Sequence, residues 1–122
     1  CSTREAVNVA CVAAGKPLVS GAAIRLEGQL SVFDPRRADS PCYHCLYGHG
    51  SDTELTCSEA GVVGPLVGVV GSLQALEALK LLADLGEPLV VRLLLIDALT
   101  TRFRELRVKR DPGCSVCGTQ HG

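Results

Sequence analysis

Two pairs of cysteines stand at knuckle spacing, Cys42-Tyr43-His44-Cys45 and Cys114-Ser115-Val116-Cys117. Each CxxC pair can present two thiolates to one point, and two such pairs supply the four soft ligands that fill a tetrahedral zinc site. A site with every position filled has no room for water or substrate, so the chemistry it offers is structural. The second knuckle lies between Gly113 and Gly118, whose freedom permits the tight backbone that turns N–H groups towards sulfur. The first lacks a trailing glycine. The competing reading, in which one pair is a redox dithiol, needs a helix starting at the first cysteine, and neither pair opens a helical pattern. His44 and His49 could stand in as ligands, but four cysteines leave no need for them.

Cys57 stands apart in "LTCSEAG", a few residues before Pro65. A helix N-terminus nearby would lower its pKa and make it a nucleophile; the alternative is a free cysteine packed as a small apolar residue. Cys1 and Cys11 offer less, Cys11 lying within a helical pattern. The three histidines and scattered carboxylates define no acid–base pair, and Arg25 and Glu27 read as a solvated strand edge. No phosphate-binding loop is present, because Gly15 and Lys16 run into Pro17 and the glycines from 61 to 71 do not follow a strand.

Positioning these cysteines is the task of an α/β chain. Ser2 and Glu5 have capping-box spacing, and Ala6, Val9, Ala10 and Ala13 then share one face until Gly15, which predicts a first helix. Leu18 to Ile24 and Gln29 to Asp34 read as paired strands with Glu27 and Gly28 as their turn. Pro35 to Gly64 has no sustained period and reads as a long surface excursion. Pro65 opens a helix with an apolar face of Leu66, Val69, Val70, Leu73, Leu76 and Leu79, ending near Gly86 and Pro88; Gly64, Gly68 and Gly71 would let its first half lie close to a sheet. Leu89 to Ile96 reads as a strand buried on both faces except at Arg92, Asp97 to Arg102 as a hairpin loop, and Phe103 to Lys109 as an alternating strand.

Composition bounds what such a chain does. Its 122 residues, 47% hydrophobic and 20% charged, suit one domain, residues 1–122, with a modest core. A formal net charge of −1 and only 3% aromatics argue against nucleic acid as a partner. The uncharged run from Ala60 to Leu76 is broken by glycines and Pro65 and reads as a buried helix, so no membrane is expected. Seven cysteines without a secretory leader favour metal ligation in the cytoplasm over a disulfide framework. The chain opens on Cys1 and contains no Met, which points to a piece of a longer protein.

The succession of "GKPLVSGAAIRLEGQLSVFD", "CYHC", "TCSEAGVVGPLVGVVGSLQALEALK" and "IDALTTRFRELRVKRDPGCSVCG" resembles the C-terminal half of the MoeB/ThiF/HesA family, bacterial relatives of ubiquitin-activating enzymes. The resemblance covers essentially all 122 residues. It implies the C-terminal half of a Rossmann-like ubiquitin-activating-enzyme fold, with a mixed or antiparallel sheet and helices. It also implies a structural four-cysteine zinc site at Cys42, Cys45, Cys114 and Cys117, and a homodimer. The implied activity is adenylation, with ATP and magnesium, of the C-terminal glycine of a ubiquitin-fold sulfur carrier for molybdopterin synthesis. The nucleotide-binding half would precede Cys1, leaving only Thr3 and Arg4 of its adjoining motif, so this chain alone is expected to be inactive. Cys57 takes the position of the crossover-loop thiol, which family members use differently. A zinc-stapled module that binds a ubiquitin-like partner without chemistry, and a thiamin-pathway activator, are the alternatives.

Overall fold

The computed structural model describes residues 2–48 and 63–118. The first helix, α1 (Ser2–Ala14), ends where Gly15 takes φ 66 and the Lys16 N–H returns to the Cys11 carbonyl at 2.9 Å, the positive-φ stop that glycine makes easiest. Strands β1 (Leu18–Ile24) and β2 (Glu27–Phe33) form a hairpin in which Leu18 faces Phe33 and Ile24 faces Glu27. The turn is therefore Arg25-Leu26, with Arg25 at φ 56, and not Glu27-Gly28. A glycine at 28 suggests a bend, but its lack of a side chain serves packing instead.

Residues 35–48 are not a simple surface excursion. Ser40, Pro41, Cys42 and Tyr43 are buried, and a short helix, α2 (Tyr43–Tyr47), follows Cys42 directly. Helix α3 (Gly64–Ala83) carries Pro65 in its first turn, and strands β3 (Arg92–Asp97) and β4 (Arg102–Arg107) close the chain as a second hairpin. Asp97 faces Arg102 across its turn. The sheet has the order β1-β2-β3-β4 and all its ladders are antiparallel, within the mixed or antiparallel expectation. The strand expected from Leu89 begins only at Arg92, because Val91 turns the chain at φ 58. Leu93, Leu94 and Leu95 are half-buried, and β4 is exposed along its whole length as an edge strand.

Helix α3 covers one face of the sheet, and the glycines that permit the close approach lie on the strands. A Cβ on Gly28 would stand 3.0 Å from Val70 Cγ2 and 3.3 Å from Leu66 Cδ1, while one on Gly21 would meet the Gln74 side chain. Around Gly64, Gly68 and Gly71 nothing among the described residues lies within 4 Å, so these helix glycines face away from the sheet. The expected apolar face is accordingly split. Leu66 and Val70 are buried with Ile96, whereas Leu76 and Leu79 are 47% and 59% exposed. With a mean hydropathy of 1.6, α3 is long and apolar enough to cross a membrane, yet its inner side carries Gln74, which donates to the Val19 carbonyl, and Glu77, which accepts the Leu89 N–H. Those polar contacts are what a helix laid on a sheet requires.

Candidate metal centre

The four knuckle cysteines converge. Their sulfurs all lie within 4.8 Å of one another, with Cys42 to Cys45 at 3.9 Å, Cys42 to Cys114 at 3.7 Å and Cys45 to Cys117 at 3.4 Å. A tetrahedron of thiolates about 2.3 Å from a zinc ion has sulfur–sulfur edges of about 3.8 Å, whereas a disulfide bond is about 2.05 Å. The cysteines thus fit a metal ion, and the contacts between knuckles are as close as the one within the first pair. One premise of the sequence argument fails: Cys42 is the residue that opens α2. What argues against a redox dithiol is the convergence of four sulfurs.

Local backbone geometry aims the ligands. The Cys42 N–H points at Cys45 Sγ at 3.4 Å, and the Val116 N–H at Cys114 Sγ at 3.4 Å. Gly118 follows with its N–H on the Cys114 carbonyl, and a Cβ there would stand 2.5 Å from the Pro112 carbonyl oxygen, so the second knuckle needs that glycine. Arg110 ties the lobe together by donating to the carbonyls of Ala38, Cys117 and Gly118. Upstream, Asp34 pairs with Arg36, and Ser40 receives the Asp34 N–H, which fixes the turn leading into the first knuckle.

Burial pushes the Cys42 and Cys117 thiols up. It acts on Cys114 too, but there the N–H groups of Cys117 and Val116 outweigh it and bring the thiol down to about 7. Those donors favour the Cys114 thiolate, the form that binds metal. His44 turns away from the sulfurs: its Nδ1 lies 3.1 Å from Glu5 Oε1 and its Nε2 3.4 Å from Ser115 Oγ. Phe33, Tyr43 and Tyr47 stack the lobe onto the sheet face opposite α3, where the Tyr47 hydroxyl donates to Gln29 Oε1 and burial pushes its pKa up to about 12.

Cys57, His49 and Cys1 lie outside the described residues, and Cys11 is half-buried on α1. Arg102, Arg104 and Arg107 are exposed on β4, as is every residue of that edge strand. Sequence reasoning missed Asn8. It is 1% exposed, its Oδ1 accepts the Tyr43 N–H at 3.0 Å, and its Nδ2 approaches Cys42 Sγ at 3.5 Å. The signal was available: Glu5, Asn8 and Val12 share a helical face, and this is the face α1 turns inward, while Ala6, Val9, Ala10 and Ala13 are exposed.

Among known proteins, residues 1–116 match the ThiF family. The chain is 52% identical over 117 residues to a molybdopterin-synthase adenylyltransferase of Salmonella typhimurium, covering 96% of this chain and 47% of that protein. It is 48% identical over 123 residues to a sulfur carrier protein adenylyltransferase of Thermus thermophilus, covering 97% and 45%. The chain thus spans about half the length of these curated relatives. A crystal structure of Escherichia coli MccB with succinimide superposes with a TM-score of 0.75 at 23% identity, over 96% of this chain and 36% of that one, a likeness of fold.

Proposed function

The chain belongs to the ThiF family, and from that membership we propose that it is the C-terminal part of an ATP-dependent adenylyltransferase acting on a ubiquitin-fold sulfur carrier for molybdenum cofactor biosynthesis. The observation that carries this reading is the 52% identity to a molybdopterin-synthase adenylyltransferase across 96% of the chain. In the proposed reaction a C-terminal glycine carboxylate oxygen of the carrier attacks the α-phosphorus of ATP and pyrophosphate leaves. The acyl-adenylate so formed is an electrophile, from which a sulfur nucleophile displaces AMP to leave a thiocarboxylate. Magnesium accompanies the nucleotide, and both are held by residues beyond this chain, since adenylation needs cations and a phosphate cradle in line with the carboxylate.

The residues described here supply scaffold, metal staple and docking surface. Cys42, Cys45, Cys114 and Cys117 would hold zinc, which cross-links the lobe and contributes folding energy. Free thiols in a metal set suit the reducing cytoplasm. The sheet face opposite α3 bears a hollow of about 390 Å³ bordered by Glu27, Gln29, Leu95, Asp97, Arg102 and Arg104, whose charges of both signs offer polar contacts to a carrier. The exposed Val67, Leu76, Leu79 and Leu82 of α3 support a homodimer.

Carrier-dependent exchange of pyrophosphate into ATP is the test. The full-length protein should catalyse it with a molybdopterin-synthase small subunit and the 122-residue chain alone should not. A full-length protein that binds the carrier without exchange would replace this reading with the non-catalytic module, and preference for a thiamin-pathway carrier would change the pathway. Sedimentation of the full-length protein as a monomer would refute the dimer.

A further inference from the structure

We propose that Asn8 is a positioning residue of the metal centre, donating to the Cys42 sulfur and docking α1 onto the site. The inference rests on the reading of the four cysteines as a metal set. Its basis is the direction of two hydrogen bonds. The Tyr43 N–H can only donate, so the amide atom facing it at 3.0 Å must be the oxygen, which leaves the NH2 group facing Cys42 Sγ at 3.5 Å. That orientation follows from chemistry and not from an arbitrary choice of amide flip. A donor aimed at sulfur stabilises a thiolate.

Two other sulfurs of the set are also met by N–H groups, Cys45 by the Cys42 amide and Cys114 by the Val116 amide. Those donors are local to the knuckles, 3 and 2 residues from their sulfurs, whereas Asn8 reaches Cys42 across 34 residues. It is the described side chain that joins another element to a sulfur. It is 1% exposed, with Val12 one turn along packed against Cys42, Cys114 and Cys117. An asparagine in a helix interior is a poor helix former, and here its amide spans the Cys42 sulfur and the backbone N–H of Tyr43, the next residue.

The test uses the full-length protein with cobalt in place of zinc, read by the thiolate-to-cobalt charge-transfer band and by competition with a chromophoric chelator. Asn8→Ala should weaken metal binding about 10- to 100-fold and move the band to longer wavelength, because the sulfur lone pair loses its donor. Asn8→Asp keeps an oxygen for the Tyr43 N–H but sets a carboxylate against the thiolate, so it should weaken metal at least as much while α1 stays folded. Val12→Ala, which opens a cavity in the same cluster without touching a donor, should lower thermal stability and leave the band in place. Equal weakening and identical bands for Asn8→Ala and Val12→Ala, or wild-type affinity in Asn8→Asp, would overturn the proposal. A wild-type protein that takes up no tetrahedral cobalt would instead overturn the metal reading beneath it.

Discussion

Replacing Glu77 tests how α3 is fastened to the sheet. Its side chain is 3% exposed and lies on the inner side of the helix, where Oε1 accepts the Leu89 N–H at 2.7 Å and Oε2 the Lys80 ammonium at 2.8 Å. Leu89 is 7% exposed, so its N–H finds no ready water once the carboxylate is gone. Leaving that donor unpaired costs about 1–3 kcal/mol. Lys80, 26% exposed, can turn to solvent and to the Glu87 carbonyl it already approaches, so its loss adds little. Glu77→Ala should therefore destabilise by about 3 kcal/mol once the cavity is included. Glu77→Gln keeps an oxygen for Leu89 and gives up only the ion pair, for about 1 kcal/mol. Urea unfolding reads both as a fall in midpoint at unchanged slope, and amide exchange at Leu89 reports the local bond. If the alanine and glutamine variants lose the same stability, the Leu89 bond is not what Glu77 provides.

Four further outcomes can be measured. Gly28→Ala should cost about 1–3 kcal/mol by overpacking, since its Cβ would stand 3.0 Å from Val70 Cγ2; a midpoint within error of wild type would show that α3 can shift freely. Burial alone would raise the Asp34 carboxyl, but its bonds to Arg36 hold it below the usual value, so it contributes stability above about pH 4 that is lost as pH falls through the folded value. Asp34→Asn should flatten that acid limb, seen in melts from about pH 5 down to about pH 2. Chelating the metal, or Cys114→Ala, should release β4 first, measured as loss of amide protection at Phe103 to Arg107; protection that survives with all four thiols free would exclude the staple. Cys57→Ala in the full-length protein should leave carrier adenylation intact, because forming the acyl-adenylate needs no thiol, and lost pyrophosphate exchange in a folded variant would give Cys57 a role in that step.

Period and punctuation make the elements legible, while the faces they bury are not. Leu18–Ile24 is placed to the residue because its apolar run is bounded by Pro17 and a turn. The turn itself is displaced by two residues: glycine signals a bend, yet here Gly28 is where the helix must come close, and Arg25 takes the positive φ. On α3 the same ambiguity runs the other way, since a helix glycine can mark either a tight contact or an outward surface. On α1, counting apolar residues selects the alanine face, but the interior is decided by bonding, and Asn8 is worth more inside than Val9 because two partners wait for it. The cysteine set is legible because ligand spacing survives any choice of secondary structure. Helix α2 is not, since its five residues are too few to show a period.

The position of the cysteine set is where a metal would brace a sheet with so exposed an edge. Strand β4 buries little and pairs only with β3 among the described strands, so its own contacts do little to anchor the chain beyond it. The second knuckle lies just past β4, and Arg110 on the way turns back to Ala38, on the stretch before the first knuckle. Joining Cys42 to Cys114 spans 72 residues, and fixing a loop of that length removes about 4 kcal/mol of unfolded-chain entropy by the chain-entropy account of cross-links. That loop contains α3, β3 and β4, which places both ends of the second hairpin under one constraint. The first knuckle is joined in turn to β2 through the Asp34 turn and to α1 through Asn8. A metal bound by these cysteines would thus act where hydrophobic burial is thinnest, on the sheet face that α3 leaves uncovered.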